Sequence, residues 1–371
     1  MRILFVNSIQ MYGGGEVWML RTMQYLSDRG QSIQLCCRPG TELYRRAKEK
    51  GIRTLTMPFR GDFDPFTIFR FYRLLVREKI DIVLTNMDKE LRIAGIAAWL
   101  TNYTRVIPRR GIDYPLKNKI QYRLSYTKLA CAVIANSNST RVALLKNAPW
   151  LDADSVHVIY NGIDPEPFLS PPRHEFRKQL ELKTSDVLIG FVGQLDERKG
   201  IVTLLHAFRM LCKCRKDIHL ALIGSGPMQD FIRQYAVENG LCDNIHLPGF
   251  QEDIPDVMQS IDMLVLPSWW EGFGIVLIEA MAAAKPCVTT AVSSMPEIVL
   301  DQNTGRVVPV KDSVSLFEAF HQLIHNPRLS AEMGKNGRQR VLRTFHIDAM
   351  IDQLESLFLQ QLKNQRGMRR H

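Results

Sequence analysis

Two series of short apolar runs, rich in Val, Ile and Leu and separated by helix-length segments, constrain this chain more than any other feature. "RILFVN", "SIQLCC", "DIVLTN", "RVIP", "CAVIANS" and "HVIYNG" occupy the first half; "VLIGFVG", "HLALIGSG", "IHLPGF", "MLVLPS", "PCVTT" and "GRVVPV" occupy the second. Runs that are apolar throughout, rather than alternating, belong to strands covered on both faces. Helix-length connections between such strands make the sheets parallel. The expected fold class is therefore α/β, with two doubly wound Rossmann-like domains. At 371 residues the chain exceeds what one core usually supports, which agrees with two. Ligands of open α/β sheets bind beyond the carboxyl ends of the strands, so two facing sheets imply a central cleft.

The halves meet at "YNGIDPEPFLSPPR", where Asn-Gly, Asp-Pro and three further prolines predict a stiff, non-helical connector. The expected domains are 1–164 and 165–345. Residues 346–371 then form a C-terminal helix ending in the basic tail "RGMRRH". Ile347, Met350, Ile351, Leu354, Leu357 and Phe358 give that helix its apolar spacing.

A chain that is 46% hydrophobic and 23% charged is ordinary for a soluble globular protein and excludes a disordered class. Seven cysteines, odd in number and without a C-x-x-C pair, read as free thiols in a reducing compartment. The start "MRILFVNSIQ" suits a buried strand better than a secretion signal, and no uncharged apolar stretch is long enough to span a bilayer. A cytoplasmic protein is expected. Its formal charge of +10 is uneven: 25 Lys and Arg face 14 Asp and Glu through Asp164, against 23 and 24 beyond it. Such a basic half attracts nucleic acid, anionic lipid headgroups or a phosphorylated acceptor, or is simply a solvated face.

Three glycines in "MYGGGEVWMLRTMQYL" lead into an amphipathic helix. Glycine lets a ligand approach the backbone, and a helix start offers free N–H groups, so the turn suits a phosphate; a plain tight turn would also use glycine. The G-x-G-x-x-G spacing of nicotinamide and flavin sites is missing. A second glycine turn, "IGSGP", covers 223–227. "FVGQLDERKG" sets Arg198 and Lys199 just past a strand end, where a lysine can neutralise an anionic leaving group or form an unremarkable surface pair.

In "SWWEGFGIVLIEAMAAAKP", 268–286, every residue from Ile275 to Ala284 is apolar except Glu279. An unpaired carboxylate inside a buried helix is costly, so Glu279 should reach a cleft rim and hold partners such as the two hydroxyls of a ribose, or an arginine. Glu271 lies just before the helix. There it would also favour the macrodipole, but that leaves the glycines on both sides of Phe273 unexplained. Phosphate on the backbone, with carboxylates on sugar hydroxyls, accounts for all of them.

"EGFGIVLIEA" resembles the E-x7-E signature of retaining, nucleotide-sugar-dependent glycosyltransferases with two Rossmann-like domains, the GT-B fold of family 4. "GGGE", "IANS", "IYNGID", "KG", "IGSGP" and "LPGF" follow in the family's order along nearly the whole chain. The resemblance implies that Gly13 and Gly14 face the donor diphosphate and the transferred sugar, with Gly224 in the second glycine turn. It implies that Lys199 binds the departing diphosphate and that Phe250 lies near the nucleobase. Glu271 and the backbone of Gly272, Phe273, Gly274 and Ile275 would hold sugar and phosphate, while Glu279 takes the ribose hydroxyls. Two positions depart from the family. Gln194 stands where an arginine is common, which makes Arg198 the available substitute. "RRGIDYP" stands where many members have a histidine, so Arg109 or Arg110 would meet an anionic acceptor. Similar "RRG-D-P" segments resemble those of lipopolysaccharide-core and other cell-surface glycan transferases. In such a site the acceptor hydroxyl attacks from the face the diphosphate leaves, no metal is required, and no cofactor is needed beyond the NDP-sugar substrate.

The D-x-D strings "DFD" at 62–64 and "DAD" at 152–154 fall outside the expected cleft strands and read as chance. "FDPFTIFRFYRLLVREK" sets Phe66, Phe69, Leu74 and Leu75 among Arg70, Arg73, Arg77 and Lys79, and "PLKNKIQYRLSYTKL" is also basic and aromatic. These apolar residues fill the core or lie on an anionic membrane. A nucleic-acid-binding protein or a catalytically silent sugar-nucleotide binder are the competing classes. The first leaves both glutamates unexplained, and the second has no use for Lys199 with Glu271.

Overall fold

The computed structural model describes residues 1–170, 173 and 175–368. The chain divides into two compact units, the first comprising Met1–Asn161 with Asp348–His371, the second Gly162–Ile347.

Unit 1 carries a seven-stranded parallel sheet. Its strands are β1 (Arg2–Asn7), β2 (Ser32–Cys37), β3 (Arg53–Thr56), β4 (Ile82–Thr85), β5 (Arg105–Arg110), β6 (Val133–Ala135) and β7 (Val156–Val158), in the order β3-β2-β1-β4-β5-β6-β7. Ile3, Leu4, Phe5 and Val6 of the interior strand β1 are fully buried, as expected of a strand covered on both faces. Only β3 had no apolar run to announce it. It is a short edge strand, "RTLT", with both ends exposed.

Unit 2 carries six parallel strands: β8 (Val187–Val192), β9 (Ile218–Ile223), β10 (Ile245–Gly249), β11 (Met263–Leu266), β12 (Cys287–Thr290) and β13 (Gly305–Val308). Their order is β10-β9-β8-β11-β12-β13. In both sheets the order reverses beside the first strand of the unit, the topological switch of doubly wound folds. Both units are thus Rossmann-like α/β domains.

The connector differs from its expected form. A one-turn helix, Glu166–Leu169, lies within it. Its prolines sit in the first turn, where no backbone N–H is required, so they permit helix. Pro171 and Pro172 lie outside the described residues, as do the last three residues of the basic tail. Ile163 N–H donates to Phe345 O at 2.9 Å and Ile347 N–H to Ile163 O at 2.9 Å, so the stretches where the chain enters and leaves unit 2 pair with each other.

The Ile347–Met368 helix buries Met350, Ile351, Leu354, Leu357 and Phe358. Trp18 Nε1 donates to Met350 Sδ at 3.2 Å, and Arg29 pairs with Asp348, Asp352 and Glu355. All seven cysteines are free thiols. No helix among the described residues is long and apolar enough to cross a membrane.

Candidate active site

In unit 2 the turns beyond the carboxyl ends of the strands are bound to one another through backbone. Gly193 N–H donates to Ile223 O, Leu195 N–H to Ser225 O and Gly224 N–H to Gly249 O, all within 3.0 Å. Gly224 has a φ of +130°, and a Cβ there would stand 2.0 Å from Gly193 O. Glycine at 224 is therefore demanded by this close approach. Gln194 and Phe250 extend from the same edge and are exposed, Phe250 by 72%.

After β8 a short turn, Glu197–Lys199, ends at Gly200, whose φ of +71° and closeness to Pro267 O exclude a side chain. Lys199 Nζ reaches Glu271 Oε2 at 2.5 Å, both side chains being largely buried. Arg198 turns instead to Asp196 at 2.6 Å. Its carbonyl accepts from Trp269 N–H at 2.7 Å, which ties the lysine turn to the segment carrying Glu271.

Gly274, with φ +76°, ends the Glu271–Gly274 turn and caps the Ile275–Ala282 helix. Its first N–H groups have no intrahelical partner and give the turn partial positive charge. Leu277, Ile278, Ala280 and Met281 are buried on most sides of the helix, while Glu279 is half-buried. Unit 2 thus brings Lys199, Glu271 and the glycine turn together, with Glu279 about one turn into the helix that follows. An ammonium beside a helix start suits a doubly charged phosphate, and a carboxylate beside it suits hydroxyl groups.

In unit 1 Gly13 N–H donates to Glu16 Oε2 at 3.0 Å, and Glu16 Oε1 accepts from Asn7 Nδ2 at 2.9 Å. A Cβ at Gly14 or Gly15 would meet nothing within 4 Å, and neither residue has a positive φ. Glycine at these positions leaves an uncovered backbone that packing does not require.

Arg109, one of the two arginines expected to meet an acceptor, is 4% exposed. Its guanidinium stacks 3.9 Å from the Trp18 ring centroid and donates to Asn161 Oδ1 at 2.8 Å, and burial lowers its pKa to about 9 against the opposing pull of Glu16. Arg110 pairs with Asp88 at 3.0 Å, and the same carboxylate oxygen accepts from Tyr126 Oη at 2.6 Å. The D-x-D strings serve local structure. Asp62 pairs with Arg92, Asp64 caps the Pro65–Glu78 helix, and Asp152 caps the turn at 153–155. Among the described residues no group of three or more His, Cys, Asp or Glu is placed to hold a metal ion.

Two family models match this chain, "Glycosyltransferase Family 4" over residues 12–167 and "Glycosyl transferases group 1" over residues 172–340. The chain belongs to the family 4 glycosyltransferases. Its sequence is 26% identical over 315 residues to an Escherichia coli UDP-Gal:alpha-D-GlcNAc-diphosphoundecaprenol alpha-1,3-galactosyltransferase, covering 81% of each chain. It is 26% identical over 364 residues to the Staphylococcus aureus capsular polysaccharide biosynthesis glycosyltransferase CapM, covering 93% of this chain and 94% of that one. The solved structure of Anabaena Alr3699/HepE in complex with UDP superposes with a TM-score of 0.85 at 21% identity, covering 97% of this chain and all of that one, which establishes the GT-B fold.

The Glu271–Gly274 turn is also held by residues that sequence reasoning missed. Ser294, fully buried, donates to Gly272 O at 3.3 Å and Phe273 O at 3.1 Å; Ser293 Oγ accepts from Glu271 N–H at 3.4 Å. Two serines directly after a buried strand end, "VTTAVSS", were the available signal. Ser294→Ala should lower kcat/KM about tenfold at unchanged circular dichroism, because the turn loses its anchor and small misplacements are expensive in rate. A variant with wild-type kcat/KM would show that the turn holds itself.

Glu90 gathers the turns at the carboxyl ends of β1 and β4, accepting from the N–H groups of Ser8 at 2.5 Å, Asn86 at 2.8 Å and Met87 at 3.0 Å. Burial raises its pKa to about 7 against the lowering effect of those donors. A carboxyl whose folded pKa is raised contributes stability that is present in acid and lost as pH rises through the folded value. Melting temperature should therefore carry a downward slope from about pH 5 to above 7, and Glu90→Gln should flatten it. An identical slope in the variant would assign the effect elsewhere.

Proposed function

We propose that this chain is a retaining glycosyltransferase that moves a sugar from a UDP- or GDP-sugar to a glycan or lipid-linked acceptor of the cell surface. The observation that carries this reading is the Lys199–Glu271 ion pair at the glycine turn opening the Ile275–Ala282 helix. The E. coli relative's name specifies a UDP-sugar donor and a diphosphoundecaprenol-linked acceptor, and the Anabaena structure holds UDP. Both support a nucleotide-sugar donor here.

In the proposed reaction the donor diphosphate takes Lys199 from Glu271, and the helix start at Gly274 and Ile275 adds N–H groups to it. Glu271, released, accepts from hydroxyls of the transferred sugar, while Glu279 accepts from the ribose. The bond from the anomeric carbon to the phosphate oxygen breaks as the acceptor oxygen bonds to that carbon on the same face, and the acceptor proton passes to the departing phosphate. Charge on the leaving group is met by Lys199, with Arg198 in support. The reading includes no metal.

Isothermal titration with a panel of UDP- and GDP-sugars, with and without EDTA, tests it. Micromolar binding of one nucleotide series, insensitive to EDTA, is expected. Lack of binding to every member of the panel would sink the proposal, and a product of inverted anomeric configuration would remove the retaining step.

A further inference from the structure

Left-handed backbone is uncommon for a residue with a side chain, because the Cβ crowds the carbonyl beside it. Lys79 and Asn102 adopt it where they end helices. Ser293, with φ +48°, adopts it after a strand, beyond Thr290 at the carboxyl end of β12. Glycine would take this φ without strain, so what serine adds at 293 is its hydroxyl. Strain of this kind persists only where the surrounding structure holds it, and it gathers at functional sites. Ser293 Oγ lies on the Glu271 turn, accepting from Glu271 N–H at 3.4 Å, and the residue is half-buried. Its neighbour Ser294 holds the carbonyls of that turn, is fully buried and has an ordinary φ of −78°. The two serines thus differ: one is an unstrained anchor, the other a strained hydroxyl that a ligand can reach.

The direction of hydrogen bonding says what Ser293 offers that ligand. Its oxygen is the acceptor toward Glu271, and among the described residues its proton has no acceptor. The Glu271 carboxylate has the opposite character, with Oε2 accepting from Lys199 Nζ at 2.5 Å and from Ser268 Oγ at 3.4 Å, and Oε1 from Gly272 N–H at 3.0 Å. A hydrogen-bond donor and a charged acceptor therefore stand on the backbone and the side chain of one residue. A sugar hydroxyl both gives and takes a proton bond, so it satisfies the two together. A phosphate oxygen only accepts, and the carboxylate repels it.

We propose that Ser293 reads the sugar being transferred, a role that rests on the nucleotide-sugar function given above. Its O–H donates to the oxygen of a sugar hydroxyl whose own proton goes to Glu271, and the left-handed backbone at 293 is what aims that donor. A site that pairs both the oxygen and the proton of one hydroxyl rejects a sugar lacking it, because its own polar groups are then left without partners.

Two variants separate this role from a structural one. Ser293→Gly removes the hydroxyl and the strain; Ser293→Ala removes the hydroxyl and keeps the strain. Titration calorimetry with UDP-glucose, UDP-galactose, UDP-N-acetylglucosamine and GDP-mannose, and with UDP and GDP alone, reads binding, and each protein is melted without ligand. Both variants should bind the nucleotide-sugar about tenfold more weakly than wild type and the matching nucleoside diphosphate equally well. The glycine variant should nevertheless melt about 3 °C above the alanine variant. Among singly deoxygenated forms of the same donor, one should lose about tenfold with wild type and nothing with either variant. Sugar binding that follows melting temperature, with Ser293→Gly close to wild type, would make Ser293 structural and overturn the proposal, as would an equal loss for the nucleoside diphosphate alone. Wild-type binding matched by both variants would sink this role and leave the donor reading standing. Failure of wild type to bind any of the panel would sink both.

Discussion

Lys199→Ala should lower the rate of sugar transfer about a thousandfold while the protein stays folded. The Lys199 side chain makes its ion pair through Nζ, while its backbone N–H bonds to Asp196 and is kept in the alanine variant, so the loss falls on the charge that develops as the diphosphate departs, a contribution of about 4 kcal/mol for a preorganised cation. The partner substitution discriminates further. Glu271 and the diphosphate compete for the same ammonium in the proposed reaction, so Glu271→Gln should bind the free nucleoside diphosphate more tightly and yet transfer sugar far more slowly. The opposite signs would be read by titration calorimetry and by turnover on one preparation. Full activity in Lys199→Ala would end the leaving-group role. Weakened diphosphate binding in Glu271→Gln would show that the carboxylate orients the lysine and does not compete for it.

Gly224→Ala should destabilise unit 2 by about 4 kcal/mol and lower its melting temperature by about 10 °C. Two costs combine: a φ of +130° that an alanine resists, and a methyl 2.0 Å from Gly193 O, a backbone atom that cannot rotate away. Gly240→Ala separates them. Gly240 also has positive φ, +65°, but a Cβ there meets nothing within 4 Å, so its cost should be about 1 kcal/mol of backbone strain. Equal melting temperatures for the two variants would show that the turns of β8 and β9 part readily.

Both sheets were legible because their strands are buried on both faces and so read as unbroken apolar runs. β3 escaped because an exposed edge strand has no such run. Along the Pro65–Glu78 helix, periodicity revealed apolar positions without saying which were inward; Leu74 and Leu75 are core, Phe66 and Phe69 are not. Glu279 was legible as a candidate because a carboxylate within an apolar helix needs a reason. Ser294 was not, since a buried hydroxyl holding a turn looks in sequence like any loop serine. The charge of Arg109 was visible in the sequence, and the Trp18 ring that covers it, remote in sequence, was not.

The pairing of Ile163 with His346 and Ile347 has a consequence for biosynthesis. The ribosome delivers 1–161 first, but the helix that covers Trp18 and satisfies Arg29 arrives only after all of unit 2 has been made. The first unit to emerge is thus the last that can finish folding, and until then the apolar groups awaiting Met350, Leu354 and Phe358 stay uncovered. A chain stalled or truncated near residue 345 would carry both sheets but lack the helix that completes the first unit, the form that chaperones and proteases would be expected to recognise.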